Sequence, residues 1–362
     1  MRPLDGVLVL DLSRLLPGNA ASLMLANFGA EVIKIEQPGV GDYGRSMPPF
    51  LHGEGAVFGL LNRGKKSVAL DLKDASGKEA LLDLAARADV LIESFRPGVM
   101  ARLGLGFDVL SARNERLIYA AITGYGQQGS RSRMAGHDIN YQALAGILEI
   151  TGEPGGAPVV PGVQIADLAG GAMQAVIGVL LALAARTRTG RGQMVDVSML
   201  DGAAWMLPVA LAAYQATGAL PDRGAAVLTG RYACYRLYRC ADGRWISVGA
   251  LEPKFWSALC QALGCDDLIP EQFAEGERRI EIITLLSRIF ETRTAAEWTL
   301  ALTPHDACVA PVQNVAEAMQ EFGLGVAETV VIPKLSATPG HLGGPAPRLG
   351  EQTHEILSPR DR

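Results

Sequence analysis

Five histidines, His52, His137, His305, His341 and His354, are the side chains whose ordinary pKa lies near neutrality. His137 stands apart from the others. It lies in GHDINYQALAG, after the glycine-rich turn TGYGQQGSRSRMAG, among polar groups rather than on an apolar face. Asp167 lies in VQIADLAGG, where an apolar helix begins, so its carboxylate can accept helix N–H groups. An imidazole and a carboxyl group can move a proton between them, and a carboxylate can also attack as a nucleophile. The plain structural readings are a helix cap for Asp167 and a loop histidine bonded to backbone for His137. The two are 30 residues apart, follow separate elements, and could face each other across a cleft.

The elements that must position them read as α/β. VLVLDL (7–12) is a buried strand, Pro17 and Gly18 break the chain, and ASLMLANFGA is a helix ended by Gly29. EVIKIE (31–36) completes a βαβ unit, which implies a parallel sheet. SVALDL (67–72), DVLIES (89–94) and LIYAAITGYG (117–126) are further strands, and SGKEALLDLAARA (76–88) is an amphipathic helix with a serine N-cap. Residues 168–185, LAGGAMQAVIGVLLALAA, are apolar apart from Gln174 and long enough to attract a membrane-span reading. A buried core helix is preferred, opened by Asp167 and closed by Arg186, Arg188 and Arg191 at its negative end. RTRTGRGQMVDVSMLDG then gives a basic turn, a strand and a helix start. From about 220 the pattern changes: RYACYRLYRCADGRWISVGA reads as a hairpin turning at ADG, followed by helices at 253–264 and 278–302. The expected organisation is a large α/β domain over 1–219 plus 326–362 and a smaller α/β domain over 220–325.

Bulk properties narrow the function. Apolar residues make up 49% and charged residues 20%, a globular composition in a chain of 362 residues. A formal net charge of −5 argues against nucleic-acid binding and requires a local basic patch for any polyanionic ligand. Cys234, Cys240, Cys260, Cys265 and Cys308 include no CxxC pair, and the start MRPLDG has no signal-peptide pattern, so a cytoplasmic protein with reduced thiols and no membrane partner is expected. The first βα turn, SRLLPGNAAS, lacks GxGxxG, which disfavours a dinucleotide, and the P-loop, GxSxG and HExxH patterns are also missing.

Ordered blocks over nearly the whole chain carry a family resemblance. They include PLDGVLVLDLSRLLPGNAASLMLANFGAEVIKIEQP, LNRGKKSVALDLK, DVLIESFRPGVMARLGLG, AGHDINYQALAG, TRTGRGQMVDVSMLDG and CADGRWISVGALEPKFW. The chain resembles the class III CoA-transferase (CaiB/BaiF) family, and within it the α-methylacyl-CoA racemase branch. The resemblance implies a large Rossmann-like domain with a mainly parallel sheet, a smaller α/β domain, and an interlocked homodimer. It implies an acyl-CoA substrate and no metal or redox cofactor, CoA entering as part of the thioester. In the racemase branch His137 and Asp167 would shuttle the α-proton, Glu252 would support the histidine, and the Asp138 backbone N–H would hold the enolate oxygen. In the transferase branch Asp167 would instead be the nucleophile, and IADLAGG is closer to that style. For CoA the resemblance points to Leu70, Asp71, Leu72 and Lys73, to Ser94, Phe95, Arg96 and Arg102, and to Gly136, Asp138, Ile139, Asn140 and Tyr141. The resemblance implies an arginine after the second strand, where in the racemases it usually reaches a CoA phosphate. Gln37 stands there in this chain, with Lys34 or Arg45 as candidates to compensate. A noncatalytic acyl-CoA-binding protein is a third reading.

Overall fold

The computed structural model describes residues 1–326 and 328–358. Six parallel strands form the main sheet: β1 (Leu8–Asp11), β2 (Glu31–Glu36), β3 (Lys66–Ala69), β4 (Val90–Glu93), β5 (Ile118–Thr123) and β6 (Met194–Ser198). Their spatial order is β3-β2-β1-β4-β5-β6. This is the doubly wound order, in which the strand sequence reverses direction between β1 and β4. Every residue of β5 is buried, as expected for a strand covered on both faces. Alternate residues feed two cores. Val9, Val32, Ile92 and Ile118 pack on one face with Ala21 and Leu25, whereas Leu10, Ile33, Leu91 and Tyr119 pack on the other with Leu81 and Leu84.

The local departures have physical causes. Helix α1 (Leu15–Asn27) does not wait for Pro17 and Gly18 to pass; it includes them. Pro17 falls in the first turn, where N–H groups have no intrahelical acceptor, so its missing donor costs nothing. Helix α2 (Ala75–Ala85) has Asp74, not a serine, at its N-cap. The expected helix over 278–302 is two helices, Gly276–Phe290 and Ala295–Leu302. The second starts at a capping box: Thr294 Oγ1 accepts the Glu297 N–H (3.2 Å) and the Glu297 carboxylate accepts the Thr294 N–H (2.8 Å). The hairpin pairs β7 (Tyr235–Arg239) with β8 (Trp245–Gly249), and Val309–Pro311 adds a third antiparallel strand. All five cysteines are free thiols, four of them buried.

The chain divides into a larger unit (1–147, 161–208, 324–362) and a smaller one (148–160, 209–323). Residues 148–160 and 209–219 therefore fall in the smaller unit, not the larger one as the sequence suggested; residues 327 and 359–362 lie outside the described residues. Arg223 shows why. It donates to the Glu149 carbonyl (2.8 Å) and pairs with its carboxylate (3.0 Å), a long-range tie that composition does not reveal.

The apolar stretch after Asp167 is not buried all round. Ala172, Ala175, Val179 and Ala182 are buried, while Ile177, Leu180 and Leu181 on other faces are exposed, Leu181 at 66%. The small residues meet the rest of the larger unit, and the long aliphatic ones face away from it.

Candidate active site

Two loops beyond the sheet bring His137 and Asp167 into one neighbourhood within the larger unit. After β5, the chain reaches helix α3 (Asp138–Ala145), with His137 as its N-cap residue. The Asn140 side-chain oxygen accepts the His137 N–H (3.0 Å), which fixes the backbone at the helix entry. Tyr141 anchors the other side: its hydroxyl donates to the Gly136 carbonyl (2.7 Å), and its ring meets Tyr125 edge-on at 5.2 Å. Gly136 is required here, since a Cβ would lie 2.7 Å from both the Tyr125 hydroxyl and the Tyr141 ring.

Asp167 sits in a wide, π-helical stretch, Ala166–Met173, that continues as α4 (Gln174–Thr189). Wide turns of this kind recur at functional sites. Helix α5 (Met199–Ala204) presses against it, with Gly202 so close that a Cβ would stand 2.3 Å from the Gly170 carbonyl oxygen.

The cap at this helix start is Asp138. Its Oδ1 accepts the N–H groups of Ala166 (2.8 Å) and Asp167 (3.0 Å), and its Oδ2 accepts the Gln142 amide. The capping reading of Asp167 is thereby corrected. With Asp138 satisfying the helix donors, the Asp167 carboxyl has no hydrogen-bond or ion-pair partner among the described residues. Burial and then the Asp138 charge push its pKa up to about 6, against the opposing pull of His137. His137 is exposed, and the Asp138 backbone N–H, first in α3, has no protein acceptor among the described residues. The arrangement can take up or release a proton near neutral pH, or present a carboxylate for attack.

A cavity of about 340 Å³ lies beyond the carboxyl ends of β1, β2, β3 and β4, where the strand order reverses. It collects Leu70, Asp71, Leu72, Lys73 and Phe95 of the expected CoA set. Ser94 is beside it, its Oγ accepting the Arg14 N–H (3.0 Å). Arg96 and Arg102 are exposed outside its lining; Arg96 lies near enough to Tyr141 to act on its hydroxyl electrostatically. Gly136, Asp138, Ile139, Asn140 and Tyr141 belong to the Asp167 neighbourhood and do not line the cavity. Glu252 is in the smaller unit, exposed at the N-cap of the helix Pro253–Leu263.

Neither candidate for replacing the missing arginine at Gln37 is available. Lys34 is fully buried, donating to the Ser13 carbonyl (2.9 Å) and Asn19 Oδ1 (2.7 Å) and pairing with Asp42 at 3.1 Å. Arg45 is held by Glu36 (2.7 Å) and Glu54 (2.5 Å). Behind the cavity, burial would raise Asp11, yet Lys34 and Lys65 hold it at about 2. Three features were not readable in the sequence: the Asp138 cap, Arg14 at the cavity wall, and Glu93, a buried carboxyl behind Phe95. Arg14 carries a positional signal, following the first strand directly, but no motif marks it.

Comparison with known proteins identifies the family. A family model described as CoA-transferase family III matches residues 4–353. The alpha-methylacyl-CoA racemase of Homo sapiens is 38% identical over 369 residues, covering 98% of this chain and 92% of that protein. The acetyl-CoA:oxalate CoA-transferase of Acetobacter aceti is 37% identical over 325 residues, covering 87% and 82%. The crystal structure of a CAIB/BAIF family protein from Brucella suis matches with a TM-score of 0.86 at 31% identity, over 98% of both chains.

Proposed function

The chain belongs to CoA-transferase family III, and from that premise we propose that it interconverts the epimers of a 2-methylacyl-CoA by proton transfer at the α-carbon. The observation that carries this reading is the partnerless Asp167 carboxyl, with a pKa of about 6 and an imidazole in its electrostatic neighbourhood. A general acid or base works best when its pKa is near the operating pH. Racemisation needs one such group on each face of a planar enolate. Neutral His137 removes the α-proton of one epimer, and protonated Asp167 returns a proton to the other face. The reverse reaction exchanges the roles. The free Asp138 N–H is a donor suited to the enolate oxygen. CoA is part of the substrate, no further cofactor is invoked, and the cavity at the β1–β4 ends is the proposed seat of its nucleotide. The protein is proposed to work in the cytoplasm and as a homodimer; the exposed Ile177, Leu180 and Leu181 support the homodimer.

The test is solvent deuterium exchange into 2-methylacyl-CoA substrates of several chain lengths. His137→Ala and Asp167→Asn should each cut racemisation by about 10²-fold or more, with exchange lost for the epimer whose α-proton the replaced residue removes and kept for the other. No exchange with any substrate refutes the racemase reading.

The same free carboxyl also suits the second reading, transfer of CoA between carboxylic acids through Asp167, because the carboxylate is ionised above pH 6. That reading calls for a hydroxylamine-sensitive adduct at Asp167, ping-pong kinetics, and tolerance of His137→Ala.

A further inference from the structure

The cavity at the ends of β1–β4 holds an uneven stock of charge. Glu36, Asp42 and Asp71 reach its wall as carboxylates, and Arg14 and Lys73 as cations; Gln37 is neutral. Two of the carboxylates are already answered from behind. Arg45 holds Glu36 below the ordinary range despite its burial, and Lys34 does the same for Asp42. Asp71 is engaged locally, accepting the Lys73 backbone N–H at 2.9 Å. Among the described residues the wall's charges without an ion-pair partner are therefore one anion, Asp71, and two cations, Arg14 and Lys73.

The two cations are not equivalent. Lys73 is exposed on a turn, with no ion-pair partner among the described residues, and nothing orients its ammonium. Arg14 is built in. Its backbone N–H is fixed by Ser94, and it forms the N-cap of α1. Its guanidinium lies over the Tyr43 ring at 4.9 Å and over the Phe95 ring at 5.4 Å. One Nη1 N–H donates to the Tyr43 hydroxyl (2.9 Å), and the remaining guanidinium donors have no acceptor among the described residues. Phe95 is itself held in place, its N–H donating to the buried Glu93 carboxyl at 2.6 Å. A planar cation supported by two rings, with spare N–H groups and no carboxylate partner, is preorganised for an oxyanion and loses little freedom on meeting one.

We propose that Arg14 is the phosphate-binding cation of this cavity, filling the electrostatic role that Gln37 cannot, with Tyr43 and Phe95 as its positioning residues. The proposal rests on the reading of the substrate as a CoA thioester. Its ligand chemistry is a phosphate ester of CoA, either the 3′-phosphate or the diphosphate bridge.

Calorimetric binding of CoA and of dephospho-CoA to the full chain and to Arg14→Gln tests it. Arg14→Gln should weaken CoA binding about tenfold or more, and flatten the dependence of Kd on salt. If dephospho-CoA suffers the same loss, the contact is to the diphosphate; if it suffers none, the contact is to the 3′-phosphate. Introducing Gln37→Arg into the Arg14→Gln protein should recover most of the loss, which a merely unfolded variant would not show. Tyr43→Leu, at an exposed position, should weaken CoA binding by a smaller factor even if Arg14→Gln does not fold. Wild-type binding of CoA with Arg14→Gln within twofold of it overturns the role of Arg14 alone. Failure of the wild type to bind CoA at all overturns the function reading as well.

Discussion

Glu93 gives a quantitative handle on how this fold holds its site. It is the last residue of β4, 4% exposed, accepting the Phe95 N–H at 2.6 Å and the Tyr119 hydroxyl at 3.2 Å. Burial pushes its pKa from the ordinary 4.5 up to about 7, with Asp196 adding to the rise. The folded state thus binds this proton more tightly than the unfolded chain does. Stability from this group is fully present below pH 4.5, falls as pH rises, and levels off above about 7. At about 1.4 kcal/mol per tenfold change, keeping Glu93 ionised inside the fold at pH 8 costs about 3 kcal/mol. At pH 5 the same linkage costs under about 1 kcal/mol. Glu93→Gln removes the charge while its amide oxygen can still accept the Phe95 N–H. Urea unfolding of both proteins at pH 5 and pH 8 reads the difference directly. The variant should gain about 3 kcal/mol at pH 8, an upper figure, and about 1 or less at pH 5. Equal shifts at the two pH values, or a loss at pH 8, refute the account of Glu93 as a carboxyl ionised at a cost.

Other perturbations probe the site itself. Asp138→Asn keeps an oxygen for the Ala166 and Asp167 N–H groups but removes the neighbouring charge, so the pH at which Asp167 titrates in the kcat/KM profile should move down from about 6; an unmoved limb counts against the coupling. Where the reaction direction needs protonated Asp167, activity should fall as pH rises through that limb. Gly202→Ala places a Cβ 2.3 Å from the Gly170 carbonyl oxygen, and should cost about 1–3 kcal/mol in urea unfolding and lower kcat by shifting the helix start that carries Asp167. Lys34→Met leaves Asp42 and Asp11 buried with one cation fewer, a loss of about 3–5 kcal/mol; less than about 1 kcal/mol means the cluster relaxes around the gap.

How much of this was legible in the sequence follows from the range of each interaction. The strands β1, β4 and β5 are largely apolar runs because parallel strands are buried on both faces, and β2 departs from that inside the strand only at its buried Lys34, so their presence and the α/β class could be read directly. His137 and Asp167 stood out by type and setting. Boundaries were harder where one local signal competed with another: Pro17 reads as a break, yet in a first helical turn it is harmless, and Thr294 begins a new helix where apolar periodicity alone continues the old one. The exposed aliphatic face of α4 was misjudged because hydropathy counts residues without saying which side the core lies on.

The pairing of His137 with Asp167 began as two residues of suitable type. The sequence by itself determined the fold class, the family and the stock of groups able to move a proton. Tertiary structure alone decided how those groups are used. It gave the capping task to Asp138 and so left the Asp167 carboxyl free. It committed Lys34 and Arg45 to buried carboxylates, and set Arg14 over Tyr43 and Phe95 at the cavity wall. The reason is physical: a residue's type fixes what it can bond, but burial and the neighbours that folding brings from distant positions fix which bonds are already made.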